Sequence, residues 1–71
     1  MTAVGPELAR ALGGTWDADG VVYSGVFAIQ ADSRGKVWLT WTPRMASVHI
    51  GSLSDGADTL AARAREHGVG A

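Results

Sequence analysis

Residues 21–42 read VVYSGVFAIQADSRGKVWLTWT, and their reading decides the fold. Two runs rich in β-branched and aromatic residues flank a polar break, ADSRG, that ends in glycine, which is the signal of a β-hairpin. On the second run Val37, Leu39 and Trp41 alternate with Trp38, Thr40 and Thr42. The first set is the more apolar and is expected to face the core. On the first run Tyr23, Phe27 and Ile29 form the bulkier set, opposite Val22, Ser24, Val26, Ala28 and Gln30. The connection must bring the bulky sets to one face, because a one-residue slip turns every side chain over. A two-residue loop, Ser33-Arg34, would pair Ile29 with Trp38 and mix the faces. A three-residue loop, Ser33-Arg34-Gly35, pairs Ile29 with Leu39 and Phe27 with Trp41. It also places Gly35 at the left-handed position of a type I turn with a bulge, and Asp32 at the favoured first turn position. The three-residue register follows, with the indole of Trp38 pointing outward beside Gln30.

Downstream, Pro43 ends the second arm, since proline cannot donate to a ladder. Residues 46–50 alternate as a third strand, with Ala46, Val48 and Ile50 inward and His49 outward. So short a break favours antiparallel pairing with the arm before it. The chain then predicts a helix to about His67, with Ser54, Asp55 and Asp58 as candidate N-caps and Gly68 as the stop. Its stripe, Ala57, Leu60, Ala61 and Ala64, is mostly small, so it can lie close to a sheet whose Phe27, Leu39, Trp41 and Ile50 supply the bulk. Arg63, Arg65 and Glu66 fall off the stripe and are expected in solvent, and residues 69–71 as a frayed tail.

Upstream, residues 2–13 predict a helix beginning between Ala3 and Pro6, with Glu7 near its positive end and Val4, Leu8, Ala11 and Leu12 on one stripe. Gly13 and Gly14 end it. Residues 15–20 read TWDADG, a short extra strand around Trp16 followed by turn chemistry. A calcium loop would need more acidic positions and a closing glutamate, and residues 21–30 contain no carboxylate. The expected fold is α+β: a single domain over 1–71 in the order α-β-β-β-α, a three-stranded antiparallel sheet packed by N- and C-terminal helices. Whether the first helix covers the outer sheet face is left open by the pattern.

Composition narrows the function classes. The 71 residues suit one small domain. Six basic against seven acidic residues leave no strong field to draw in nucleic acid or an anionic membrane. There is no cysteine, hence no disulfide and no thiolate for a metal. No apolar run approaches the roughly 20 residues that span a bilayer, and no signal-peptide pattern opens the chain. A cytoplasmic protein without cofactor or metal is expected.

The two histidines are far apart in sequence and lack any metal-ligand spacing. His49 has Ser47, Ser52, Ser54 and Asp55 nearby in sequence, so a triad can be written, but nothing places these groups in hydrogen-bond order. A small enzyme subunit centred on His49 is therefore a minor alternative. The order helix, three antiparallel strands, helix resembles that of double-stranded-RNA-binding domains, at the level of architecture over the whole chain. Those domains carry a lysine-rich start to the last helix. Here residues 54–58 are Ser-Asp-Gly-Ala-Asp, the wrong sign for phosphate. Arg34, Lys36 and Arg44, expected as a small basic cluster at one end of the hairpin, are the basis of a weak nucleic-acid-binding alternative.

The outer sheet face carries the main signal. It is expected to show Trp38, Val22, Val26, Thr40 and His49, with Ala28 and Thr42. An exposed tryptophan in an apolar patch is a common anchor for association. The leading expectation is a non-catalytic protein-binding module, a regulator, inhibitor or adaptor, with homodimer formation through the same patch as a further option for so small a domain.

Overall fold

The computed structural model of the chain describes residues 4–70. The expected first residues of the N-terminal helix, 2 and 3, and Ala71 lie outside the described residues. The elements are helix α1 (Val4–Leu12), strands β1 (Thr15–Trp16), β2 (Val22–Ser24), β3 (Phe27–Ala31), β4 (Lys36–Trp41) and β5 (Ala46–Ser52), a 3₁₀ turn (Leu53–Asp55), and helix α2 (Ala57–Glu66). The strands form one antiparallel meander in the order β1-β2-β3-β4-β5. The class is α+β as expected, but the sheet has five strands rather than three: β1 is the short extra strand expected around Trp16, and one more was not expected.

The difference arises within residues 21–30, which are two strands and not one arm. Gly25 takes a φ of +60°, and with Val26 it forms a two-residue turn of the kind that opens on a glycine. The pairs are Val22 with Ile29, Tyr23 with Ala28, and Ser24 with Phe27. A two-residue turn sets even-numbered residues opposite odd-numbered ones, so an alternation read straight through Gly25 inverts. Val22, expected on the outer face, is in the core at 1% exposure, while Tyr23, expected inside, faces out at 44%.

The β3–β4 hairpin has the expected register, with Phe27 opposite Trp41, Ile29 opposite Leu39 and Gln30 opposite Trp38. Local chemistry fixes it. Asp32 Oδ1 accepts from the amides of Arg34 (2.8 Å) and Lys36 (3.0 Å), and Gly35 supplies the left-handed residue at φ +81°. The β1–β2 connection repeats the device: Asp17 Oδ1 accepts from the amides of Asp19 (2.9 Å) and Val21 (3.0 Å). Residues 17–20 are thus a turn whose first carboxylate is occupied by its own backbone.

Both helices lie on one face. Val4, Leu8, Ala9 and Leu12 of α1 share a single core with Ala57, Leu60, Ala61 and Ala64 of α2 and with Val22, Ile29, Val37, Leu39 and Ile50 of the sheet. The stripe expected on α2 is buried throughout. On α1, Ala9 is buried and Ala11 only half-buried. Close approach explains the small residues. A Cβ on Gly51 would stand 2.9 Å from Leu60 Cδ2 and 2.7 Å from Asp55 Oδ2, and one on Gly14 would collide with the backbone carbonyl of Tyr23.

The helix ends correct several expectations. Gly56, rather than Ser54, Asp55 or Asp58, is the N-cap of α2. Both helices finish by bonding a residue past the end back to the last turn, Gly14 to the Ala9 carbonyl (2.8 Å) and Val69 to that of Ala64 (3.2 Å). This closure returns Val69 to the core at 1% exposure, so residue 69 does not belong to a frayed tail. Nor are the arginines of α2 merely solvated. Arg65 Nη2 donates to the Ala11 carbonyl (2.6 Å), tying α2 to the end of α1, and Arg63 Nη1 donates to the Ile50 carbonyl (3.1 Å) and Asp55 Oδ2 (3.0 Å).

Candidate functional site

With both helices on one side, the other side of the sheet is uncovered. Strand pairing lays out two rows there. Thr15, Tyr23, Ala28, Thr40 and Ser47 cross all five strands, and Gln30, Trp38 and His49 cross three. Trp38 looks outward as expected, because Val37 and Leu39 on either side of it are core residues, but it is half-buried rather than fully exposed. His49 meets it in the register set by the β4–β5 turn, which pairs Trp41 with Ala46 through Trp38 with His49; just beyond, a shift pairs Val37 with Gly51 and leaves Ile50 as the extra residue.

The indole is held on two sides. Its N–H donates to Asp32 Oδ2 at 3.1 Å, and its ring lies against the His49 imidazole with centroids 5.4 Å apart and planes tilted by 51°. The indole hydrogen bond holds the Asp32 carboxyl below the usual carboxylate range, helped by the amides of Arg34 and Lys36 and by the Lys36 charge. Thr40 and Ser47 share a hydrogen bond at 2.9 Å. The face is therefore an open surface of hydroxyls, an amide and three aromatic rings, Tyr23, Trp38 and His49, with the indole of Trp38 held by two contacts.

Of the expected partner-binding residues, Trp38, Thr40 and His49 come together on this face. Val26 is exposed at 47% but sits in the β2–β3 turn, at the end of the sheet, where its carbonyl accepts from the Thr42 amide (3.0 Å) and hydroxyl (2.8 Å). Val22 is removed from the set by burial. Tyr23 joins it, and the signal that would have found Tyr23 is Gly25, read as a turn rather than as part of a strand.

The basic residues do not cluster. Arg34 and Lys36 are at the β3–β4 turn, while Arg44 is in the β4–β5 turn at the other end of β4. The six residues of β4 span roughly 20 Å at about 3.3 Å each. Arg44 instead lies over the Trp41 ring at 5.2 Å. The groups near His49 in sequence are likewise engaged elsewhere: Ser47 with Thr40, Ser52 with Ser54 (2.7 Å), Asp55 with Arg63. Asp55 is held below the usual carboxylate range by the Ser52 amide and the Arg63 charge. No Ser-His-Asp relay runs through His49 among the described residues. No group of three His, Asp or Glu side chains there is arranged to hold a metal ion, and no helix there is long and apolar enough to cross a membrane.

On the helix side the sequence reading missed a second surface. Ala46 and Val48 point inward as expected, yet no helix covers them. α2 ends over the sheet and leaves a cleft of about 450 Å³ above Phe27, Leu39, Trp41, Ala46 and Val48, with His67 at its margin. Comparison of the chain with models of known families, with curated proteins and with solved structures found no match.

Proposed function

We propose that this chain is a non-catalytic protein-binding module that acts through its open sheet face, with Trp38 as the anchor. The observation that carries this reading is the fixed indole. Asp32 and His49 hold Trp38 in one orientation before any partner arrives, so little side-chain freedom is lost on docking. Tryptophan is also the residue type most enriched among the few contacts that dominate an interface. Tyr23 and the hydroxyls of Thr40 and Ser47 supply a polar surround of the kind found at interface rims. A regulator, inhibitor or adaptor fits this build, because each needs a presented surface and no reacting group. The test is affinity capture from the native host with the folded chain as bait. Capture lost with Trp38→Ala and with Thr40→Arg, and kept with Arg34→Ala/Lys36→Ala, supports the open face. Capture that survives the first two and fails with the third overturns it in favour of electrostatic binding at the turn.

A further inference from the structure

The sheet has a second unfinished margin. β5 is an edge strand of seven residues, ASVHIGS, containing no Lys, Arg, Asp, Glu or Pro. Edges are normally blunted by such residues or kept very short, because their unpaired amides and carbonyls invite another strand. The opposite edge obeys the rule, since β1 has two residues. β5 is protected only in its second half, by the bulge at Ile50 and the Arg63 bond to the Ile50 carbonyl; residues 46–49 are left open, and the helix-side Ala46 and Val48 are exposed and open into the apolar cleft.

We infer that β5 pairs antiparallel with β5 of a second copy, about a two-fold axis at Val48, joining two five-stranded sheets into one. This goes beyond the open-face reading and does not depend on it. The register is self-complementary. With Val48 opposite the partner's Val48, Ala46 meets the partner's Ile50 on the helix side, and Ser47 meets the partner's His49 on the open side. Apolar groups face apolar groups, and a hydroxyl faces an imidazole. The flank is self-complementary in charge. α2 sets Arg63 and Glu66 along a depression beside His49, Ile50 and Gly51, so a two-fold axis at this edge offers the Arg63 side of each copy to Glu66 of the other. Arg63 already pairs with Asp55, and Glu66 has no ion-pair partner among the described residues. The Arg63 bond to the Ile50 carbonyl marks where the new ladder ends. A 71-residue chain also has a small core, and covering the cleft adds to it. In the joined sheet His49 of each copy lies beside the seam, so the two Trp38–His49 pairs share one continuous surface.

Sedimentation of the full chain from micromolar to millimolar concentration tests this. The expected result is a concentration-dependent monomer–dimer equilibrium, with the outward amides of Ser47 and His49 gaining exchange protection as the dimer forms. Val48→Lys places two like charges at the axis and leaves a monomer at every concentration, with an unchanged circular dichroism spectrum. Glu66→Arg, on the exposed side of α2, weakens the dimer without touching the sheet. Trp38→Ala leaves the dimer intact, so loss of partner capture in that variant reports on the open face alone. A chain that is monomeric throughout overturns the inference. So does a dimer that survives Val48→Lys and Glu66→Arg but is lost in Trp38→Ala, which places association on the open face.

Discussion

Val22 and Tyr23 are adjacent in sequence and opposite in fate, so truncating each to alanine reads the phase of β2 directly. Val22 is 1% exposed and Tyr23 44%. Val22→Ala removes two methyl groups from a closed core. At about 0.8 kcal/mol per methylene the transfer loss is roughly 1.6 kcal/mol, and the cavity left behind raises it to about 2–3 kcal/mol. A chain of this length is expected to be stable by about 4–11 kcal/mol in all, at roughly 0.05–0.15 kcal/mol per residue. Each kcal/mol moves the midpoint of so small a domain by about 4–8 °C, so Val22→Ala lowers Tm by roughly 8–24 °C. Tyr23→Ala loses cross-strand contacts with Thr15 and Ala28 on an uncovered face, worth about 1 kcal/mol or less. Both variants keep all three tryptophans, so urea and thermal unfolding followed by tryptophan fluorescence measure the difference. The reverse order, with Tyr23→Ala the costlier by more than about 1 kcal/mol, refutes the turn at Gly25. It would return residues 21–30 to a single arm.

Two further predictions test local geometry. Gly14→Ala drives a Cβ into the Tyr23 carbonyl, a backbone atom that cannot swing away, and is expected to cost about 3 kcal/mol; a urea midpoint within error of wild type contradicts that approach. Asp32 and Asp55 both titrate below the ordinary carboxylate value of 3.8 in the folded chain, Asp32 through the Trp38 indole first and Asp55 through the Ser52 amide first. The unfolded chain therefore takes up these protons first, so their stabilisation is complete above about pH 4 and is lost as pH falls through the folded values. Urea midpoints measured from pH 7 to pH 2 should decline only on the acid side. Asp32→Asn and Asp55→Asn should each flatten that decline, and an unaltered acid limb in both contradicts the assignment.

What the sequence disclosed was local. Asp32 and Gly35 sit at fixed offsets in a three-residue loop, and that chemistry set the β3–β4 register without reference to the rest of the chain. The parity of β4 then fixed Trp38 outward. The stripe on α2 was legible because helical spacing is local too. The turn at Gly25-Val26 was hidden because Val26 and Phe27 continue an apolar run, and one glycine inside a strand-like pattern does not say whether it bends or turns. β1, expected as a short extra strand around Trp16, is there at Thr15–Trp16, but at two residues it is too short for its pairing or facing to be read from a period. That both helices lie on one face depends on long-range contacts such as Arg65 to Ala11, 54 residues apart, which no pattern within a window reveals. At the candidate site, the outward parity of Trp38 and His49 was readable. Their contact rests on the β4–β5 register, which the turn at residues 42–45 sets, and the Asp32 bond to the indole on the shape of the closed hairpin, so neither was.

Once a captured partner is in hand, the dissociation constant of its complex with wild type and with Trp38→Ala tests the central claim most directly. A preset tryptophan anchor contributes about 2 kcal/mol or more, so the variant should bind at least about 30-fold more weakly while its melting curve stays close to wild type. Equal affinity, or weakened binding accompanied by an equally large loss of folding stability, contradicts the claim that Trp38 is a presented docking group on an open sheet.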